Sequence, residues 1–279
     1  MDYTKIFLII FIFIIFLILL ILNLKYLITL KSNFKHRVAW RNCKKLKISI
    51  PIEKRKDIKE LEKLLEKKLK KVLEKIHSGS ILLIQNNSDP VSIFMRLGIT
   101  GRFSHSAIIL KPNFFKESHI DSETPLLWQA AGEKICSRNS GPDVHSLCEF
   151  LSVYMTLYPN CRYAIRNLSN PLNVDQSLSL EDFILTTIKQ KKLVFVSNFE
   201  MFWCFYTETL FRFLLPLDPY MNISKKSDLT FCSKLITETY QYIGLVDKNV
   251  NSFATTPNYF SFPNSNNILI DETEIIFTP

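Results

Sequence analysis

The sequence predicts an α+β protein: an antiparallel sheet packed on a helix that opens at Cys232, preceded by one N-terminal transmembrane helix. Three observations predict it. Short apolar runs of strand length lie at Ser80–Ile84, Phe103–Leu110 and Leu126–Ala131. A helical stretch from Cys232 or Ser233 to Ile243 is closed by Gly244. From Ile6 to Leu22 every residue is Ile, Leu or Phe.

The elements follow in chain order. Extending the apolar run to Leu24 admits only Asn23. Such a helix is about 28 Å long, close to the thickness of a bilayer core. The residues after it, Lys25-Tyr26-Leu27-Ile28-Thr29-Leu30, offer no small-residue cleavage site, so a retained anchor is expected rather than a signal peptide. Lys25, Lys31, Lys35, Arg37, Arg41, Lys44, Lys45 and Lys47 follow the run, whereas Asp2 and Lys5 cancel before it. The positive-inside rule then places the C-terminal domain in the cytoplasm of a single-pass membrane protein. Three glycosylation-type triplets, at Asn86, Asn167 and Asn222, point weakly the other way.

Residues 25 to 53 read as a basic, irregular linker. Residues 54 to 76 read as a helix, because Ile58, Leu61, Leu65, Leu69, Val72 and Ile76 step by three and four into one stripe. Asp89-Pro90 suits a helix start and Gly98 its end. Arg162 to Arg166 is a further strand, and Ser179 and Asp182 open a helix through Ile188. The aromatic stretch from Phe199 to Leu217 carries Glu200, Glu208 and Arg212, so it reads as a core or membrane-surface helix rather than a second span. The chain thus divides into an anchor, 1–25, a basic linker with an amphipathic helix, 26–78, and a folded domain, 79–279.

Composition removes several function classes. With 6 glycines in the chain, neither a phosphate-binding loop nor a dinucleotide fingerprint is present. The formal net charge of +9 is concentrated after the anchor and reads as membrane-surface charge; no nucleic-acid-binding motif accompanies it, and none is expected to bind. The 6 cysteines form no CxxC pair, so neither a zinc site nor a dithiol redox motif is expected. No GxSxG elbow supplies a serine nucleophile, and His119, Asp143 and His145 read as residues of polar loops.

Two short segments carry chemistry. In Phe103-Ser104-His105-Ser106-Ala107-Ile108 a histidine sits in an otherwise small and apolar strand. In Thr230-Phe231-Cys232-Ser233-Lys234-Leu235 a cysteine opens a helix, whose positive N-terminus favours thiolate over thiol. Each alone is common in a protein core. Together they supply an activated sulfur nucleophile, Cys232, and a base, His105.

The order Gly79-Ser80-Ile81-Leu82, Phe103 to Ile108, Leu127-Trp128-Gln129-Ala130, Phe231 to Ile236 and Thr256-Pro257-Asn258-Tyr259-Phe260 resembles the permuted papain-like amidases. These include the YiiX-like proteins within the NlpC-type superfamily, with lecithin–retinol acyltransferases as relatives. The resemblance covers about residues 79 to 262. It implies a circularly permuted papain-like catalytic domain over 79–279 with the histidine before the cysteine. A third residue, usually acidic in that family, orients the imidazole, and the matching position here is Gln129. Glu133, four residues on and on the same face by strand alternation, is the alternative. The implied chemistry is acyl transfer through a thioester, on a peptide, amide or lipid acyl substrate, with no cofactor and no metal. A lipid-directed acyltransferase and a decayed, membrane-tethered scaffold are the competing expectations.

Overall fold

The computed structural model describes residues 13, 17, 20, 44–51, 53, 57–90, 92–93, 102–115, 123–131, 141–190, 193–195, 228–261 and 269–278. Helical Phe13, Leu17 and Leu20 are the only described members of the apolar run at 6–24, and all three side chains are exposed. Among the described residues no helix is long and apolar enough to cross a membrane. The predicted anchor, most of the helix expected after Asp89, the 199–217 segment and Glu133 lie outside the described residues.

The centre of the fold is a seven-stranded sheet. Its strands are β1 (Lys44–Ser49), β2 (Ser80–Gln85), β3 (His105–Leu110), β4 (Leu126–Ala131), β5 (Gly141–Ser146), β6 (Arg162–Leu168) and, last in the chain, β9 (Leu269–Thr278). They lie in the order β1-β9-β6-β2-β3-β4-β5, with every pair antiparallel except β1–β9. The remaining two strands, β7 (Val194–Phe195) and β8 (Leu229–Thr230), form a separate parallel pair.

Helices cover both faces. On one lie α1 (Ile58–Leu73) and α2 (Leu147–Leu157), and on the other α3 (Val174–Gln190) and α4 (Cys232–Tyr242). Strand alternation explains the division. Leu82, Ile84, Ala107, Ile109 and Leu127 join the α1–α2 core, while Ile81, Leu83, Ile108, Leu110, Trp128 and Ala130 join the α3–α4 core. This is why β2 to β4 read as unbroken apolar runs: both faces exclude water.

Three differences from the sequence reading have physical causes. Residues 44–49, read as irregular linker, are β1. Its lysines occupy an outer strand of the sheet, while Ile48 is buried. The helix placed at Ser179 begins at Val174 instead, because Asn173 caps it. Asn173 Oδ1 accepts the Gln176 N–H at 2.8 Å, and Gln176 Oε1 accepts the Asn173 N–H at 3.1 Å. Asp143 and His145, read as loop residues, lie in β5, and His145 is buried.

The helices are capped as their sequences suggest. Asp57 Oδ1 accepts the N–H groups of Lys59 and Glu60 at the start of α1. From there Leu61, Leu65, Leu69 and Leu73 are buried, each contributing about 1.5–3 kcal/mol in the area-transfer sense. Two hydrogen bonds lock α4 onto the sheet. Trp128 Nε1 donates to Thr239 Oγ1 at 3.1 Å, and the Tyr240 hydroxyl donates to the Gly79 carbonyl.

Gly79 has φ +92°, and a Cβ there would lie 2.7 Å from Leu168 Cδ1. Gly244, which ends α4, has φ +74° with nothing within 4 Å of a Cβ. Gly79→Ala therefore meets both strain and a clash, and is expected to cost roughly 3 kcal/mol. Gly244→Ala meets strain alone, at about 1 kcal/mol. Urea denaturation followed by circular dichroism checks the order; equal losses would remove the packing argument at Gly79.

Candidate active site

His105 opens β3, opposite Ile84 of β2. Its side chain shares the α2 side of the sheet with Gln129 and Leu127, by alternation along β3 and β4. Two aromatic rings one turn apart on α2 lie nearly parallel to the imidazole. Phe150 is 6.1 Å away at 24° and Tyr154 is 6.4 Å away at 26°, measured between ring centroids.

His105 Nε2 lies 2.7 Å from Gln129 Oε1. Gln129 is fully buried on β4, and its Nε2 has no partner among the described residues. An amide oxygen can only accept, so the Nε2 of His105 carries a proton whether the ring is neutral or charged. The other ring nitrogen is left for Cys232, to which the imidazole is also hydrogen-bonded. The amide thus fixes the tautomer that presents a lone pair to the thiol.

Cys232 is the first residue of α4. Phe231, the residue before it, gives the helix no side-chain cap, and the first turn carries no acidic side chain. The N–H groups of that turn are therefore not used by a cap and favour negative charge beside them. Fully buried Ser106 adds a backbone N–H and a hydroxyl on the Cys232 side; both favour negative charge on the sulfur, although the hydroxyl makes no hydrogen bond among the described residues.

The electrostatics follow from these contacts. Burial opposes charge at Cys232 and pushes the thiol up. The imidazolium of His105, its hydrogen bond and the nearby Ser106 N–H and hydroxyl outweigh burial and hold Cys232 below the ordinary thiol value. Burial likewise pushes His105 down, but the Cys232 thiolate, its hydrogen bond and that of Gln129 hold the imidazole above its ordinary value. Cys148, also buried, behaves oppositely: burial and the carboxylates of Glu66 and Glu62 push it up to about 12. Burial alone does not make a nucleophile; the neighbours decide.

One segment of chain holds both partners. Asn258 Oδ1 accepts the N–H groups of Arg102 and Phe103 at 2.6 and 3.0 Å, fixing the backbone just before His105. Three residues earlier, the Thr255 carbonyl accepts the Ser233 hydroxyl at 2.8 Å, next to Cys232. Lys234, buried on the same helix turn, pairs with Glu238 at 2.7 Å and lies over the Phe253 ring.

The structure thus brings together all three residues singled out in the sequence: Cys232, His105 and Gln129. It adds Ser106, Phe150 and Tyr154, none of which had been assigned a role. Ser106 stood inside the His105 motif, but its donors become visible only once α4 is in place. Among the described residues no group of three or more His, Cys, Asp or Glu side chains is arranged to hold a metal ion.

No family model matches the sequence, and no curated protein does. Among solved structures the chain is similar to the crystal structure of the metalloprotein YiiX from Escherichia coli O157:H7. The match has 15% identity and a TM-score of 0.37, over 74% of this chain and 90% of that one.

The alkylation rate of Cys232 by iodoacetamide, read by peptide mass spectrometry, tests the pair. The thiol is lowered, so fast alkylation is expected well below about pH 8.5, where ordinary thiols ionise. It is lost as the pH falls through the lowered thiol value. In Gln129→Leu the imidazolium loses an acceptor, so the profile shifts to higher pH. In His105→Ala only burial and the Ser106 donors remain, and it shifts further. A Cys232 that titrates like the other cysteines would remove the ion pair.

Proposed function

We propose that this protein is a membrane-anchored thiol hydrolase of the permuted papain-like kind, cleaving an amide or ester bond through a thioester on Cys232. One observation carries the reading: a cysteine at an uncapped helix N-terminus faces an imidazole whose far nitrogen is bonded to a buried amide oxygen. In this reading the Cys232 thiolate attacks the carbonyl carbon, a C–S bond forms and the carbonyl π pair moves to oxygen. As the tetrahedral intermediate collapses, the His105 imidazolium gives its proton to the departing amine or alkoxide. Neutral His105 then removes a proton from water, which attacks the thioester and releases the acid.

Gln129 in place of a carboxylate is compatible with this cycle. Its oxygen accepts from the ring in both charge states, which is what orientation requires. It stabilises imidazolium less than a carboxylate would, and the Ser106 N–H beside the thiolate offsets part of that loss.

The apolar run at 6–24 is proposed to hold the domain at a bilayer, on its cytoplasmic side. That placement, with the aromatic 199–217 segment, favours a lipid acyl ester as a second substrate class.

The test is the full-length protein in detergent micelles with p-nitrophenyl acetate, followed by peptide amides and phospholipid vesicles. Wild type is expected to accumulate an acetyl group on Cys232 and to turn over. Cys232→Ala should lose both, and His105→Ala should lose roughly 10²–10⁴-fold in rate. Cellular function that survives Cys232→Ala would instead indicate a scaffold. Carbonate extraction should leave the full chain in the membrane pellet and release a chain lacking residues 1–25; release of both would remove the anchor.

A further inference from the structure

The periodicity that buries Leu61, Leu65, Leu69 and Leu73 also decides where the charges of α1 point. Between residues 63 and 71 the exposed side chains are Lys63, Lys67, Lys68, Lys70 and Lys71, and none is acidic. Glu62 and Glu66 are only half-exposed; they turn toward α2, where their carboxylates act on Cys148. The exposed acids Glu60 and Glu74 stand at the two ends of the helix.

A lysine four residues after a glutamate is placed to pair with it. Lys70 follows Glu66 at that spacing, yet none of the five ammonium groups has an ion-pair partner among the described residues. The outward face of α1 is therefore a strip of positive charge that the domain itself does not neutralise. From Lys63 to Lys71 it is about 12 Å long, at about 1.5 Å per residue. Beside it, Lys45 and Lys47 are exposed on the outer strand β1, whose Leu46 and Ile48 pack into the core that α1 covers.

We propose that this face of α1 docks on the anionic headgroups of a lipid bilayer and so sets the orientation of the domain. The choice of partner rests on the anchor reading given above. The apolar run at 6–24 is joined to β1 by residues 25–43 alone, so an inserted run keeps the strip near a membrane surface. Anionic lipid attracts each lysine brought close to it, and the attraction acts within a screening length. The apolar stripe of α1 is already used in the core, so docking is by charge and not by insertion. The His105 side chain lies on the side of the sheet that α1 and α2 cover. Docking turns that side toward the bilayer, which suits an acyl substrate carried by the membrane.

The test uses the full-length protein in nanodiscs of phosphatidylcholine, with or without phosphatidylglycerol. Acetylation of each lysine by an N-hydroxysuccinimide ester is read by peptide mass spectrometry. Lys63, Lys67 and Lys70 are expected to react about threefold more slowly with the anionic lipid present. That protection should vanish in about 1 M salt, where the screening length is about 3 Å. Lys189 and Lys248, exposed elsewhere on the fold, should keep one rate throughout. In the triple variant Lys63→Gln, Lys67→Gln, Lys71→Gln, all at exposed positions, Lys70 should lose its protection while the alkylation profile of Cys232 stays unchanged. Equal rates in the two kinds of disc would overturn the docking; a chain that still stays in the carbonate pellet keeps its anchor despite that failure. If carbonate releases the chain, the same footprint with added phosphatidylglycerol vesicles decides the face alone: protection supports the docking and its absence ends it. Protection by duplex DNA but not by the anionic lipid would also overturn the proposal and mark the strip as a nucleic-acid surface.

Discussion

A thiolate and an imidazolium placed in a nearly dry site both lose hydration, and their attraction offsets that loss only if each charge also meets hydrogen-bond partners. Cys232 is 6% exposed and Gln129 is fully buried, so this constraint governs the site. The sulfur meets the Ser106 N–H and the imidazole. The imidazole meets the sulfur on one side and an amide oxygen on the other. Cys148 is the internal contrast. It is buried in α2 among carboxylates, and there the same side chain remains a thiol.

The pair also needs precise placement, since small displacements of reacting groups cost large factors in rate. His105 and Cys232 come from distant parts of the sequence and from different layers of the fold. Two kinds of constraint bring them into register. Trp128 to Thr239 and Tyr240 to Gly79 fix the helix on the sheet. The segment from Thr255 to Asn258 fixes the two local backbones, gripping Ser233 on one side and Arg102 and Phe103 on the other. A polar side chain is well suited to that second task. Asn258 satisfies two N–H groups and, through Nδ2, one carbonyl, in a place where β-pairing could not reach all three.

What could be read from the sequence depended on whether an element's signal was local. The α1 stripe, strands β2 to β4, the opening of α4 at Cys232 and its end at Gly244 were legible because apolar spacing and punctuation residues mark them directly. His105 and Cys232 could be named because each sits in one of those elements, and Gln129 because it matches the orienting position of the resembled family. β1 was hidden: Lys44-Lys45-Leu46-Lys47-Ile48-Ser49 has the charge of a linker, and only its pairing with β9 makes it a strand. β5 was hidden by Gly141-Pro142-Asp143, which reads as turn chemistry. α2 did carry a signal, since Ser146 lies three residues before Glu149 and caps its N–H at 3.3 Å. Missing α2 meant missing Phe150 and Tyr154, whose relation to His105 exists only in three dimensions.

An amide rather than a carboxylate at position 129 decides where the site draws its electrostatic support. A carboxylate would stabilise imidazolium by its charge, but would lose that ability on protonation, near pH 4 for an ordinary group. An amide contributes less, yet it does not titrate and still fixes the ring tautomer. Stabilisation of the charged pair must then come more from the sulfur side, where Ser106 and the start of α4 act on the thiolate, and from the aromatic rings beside the imidazole. Ser106 N–H is a fixed backbone group of β3 next to His105, so the residue that carries the base also aligns a donor to the nucleophile. The thiolate is thereby stabilised by the same strand that positions its partner, and a carboxylate at position 129 is not needed for the pair to form.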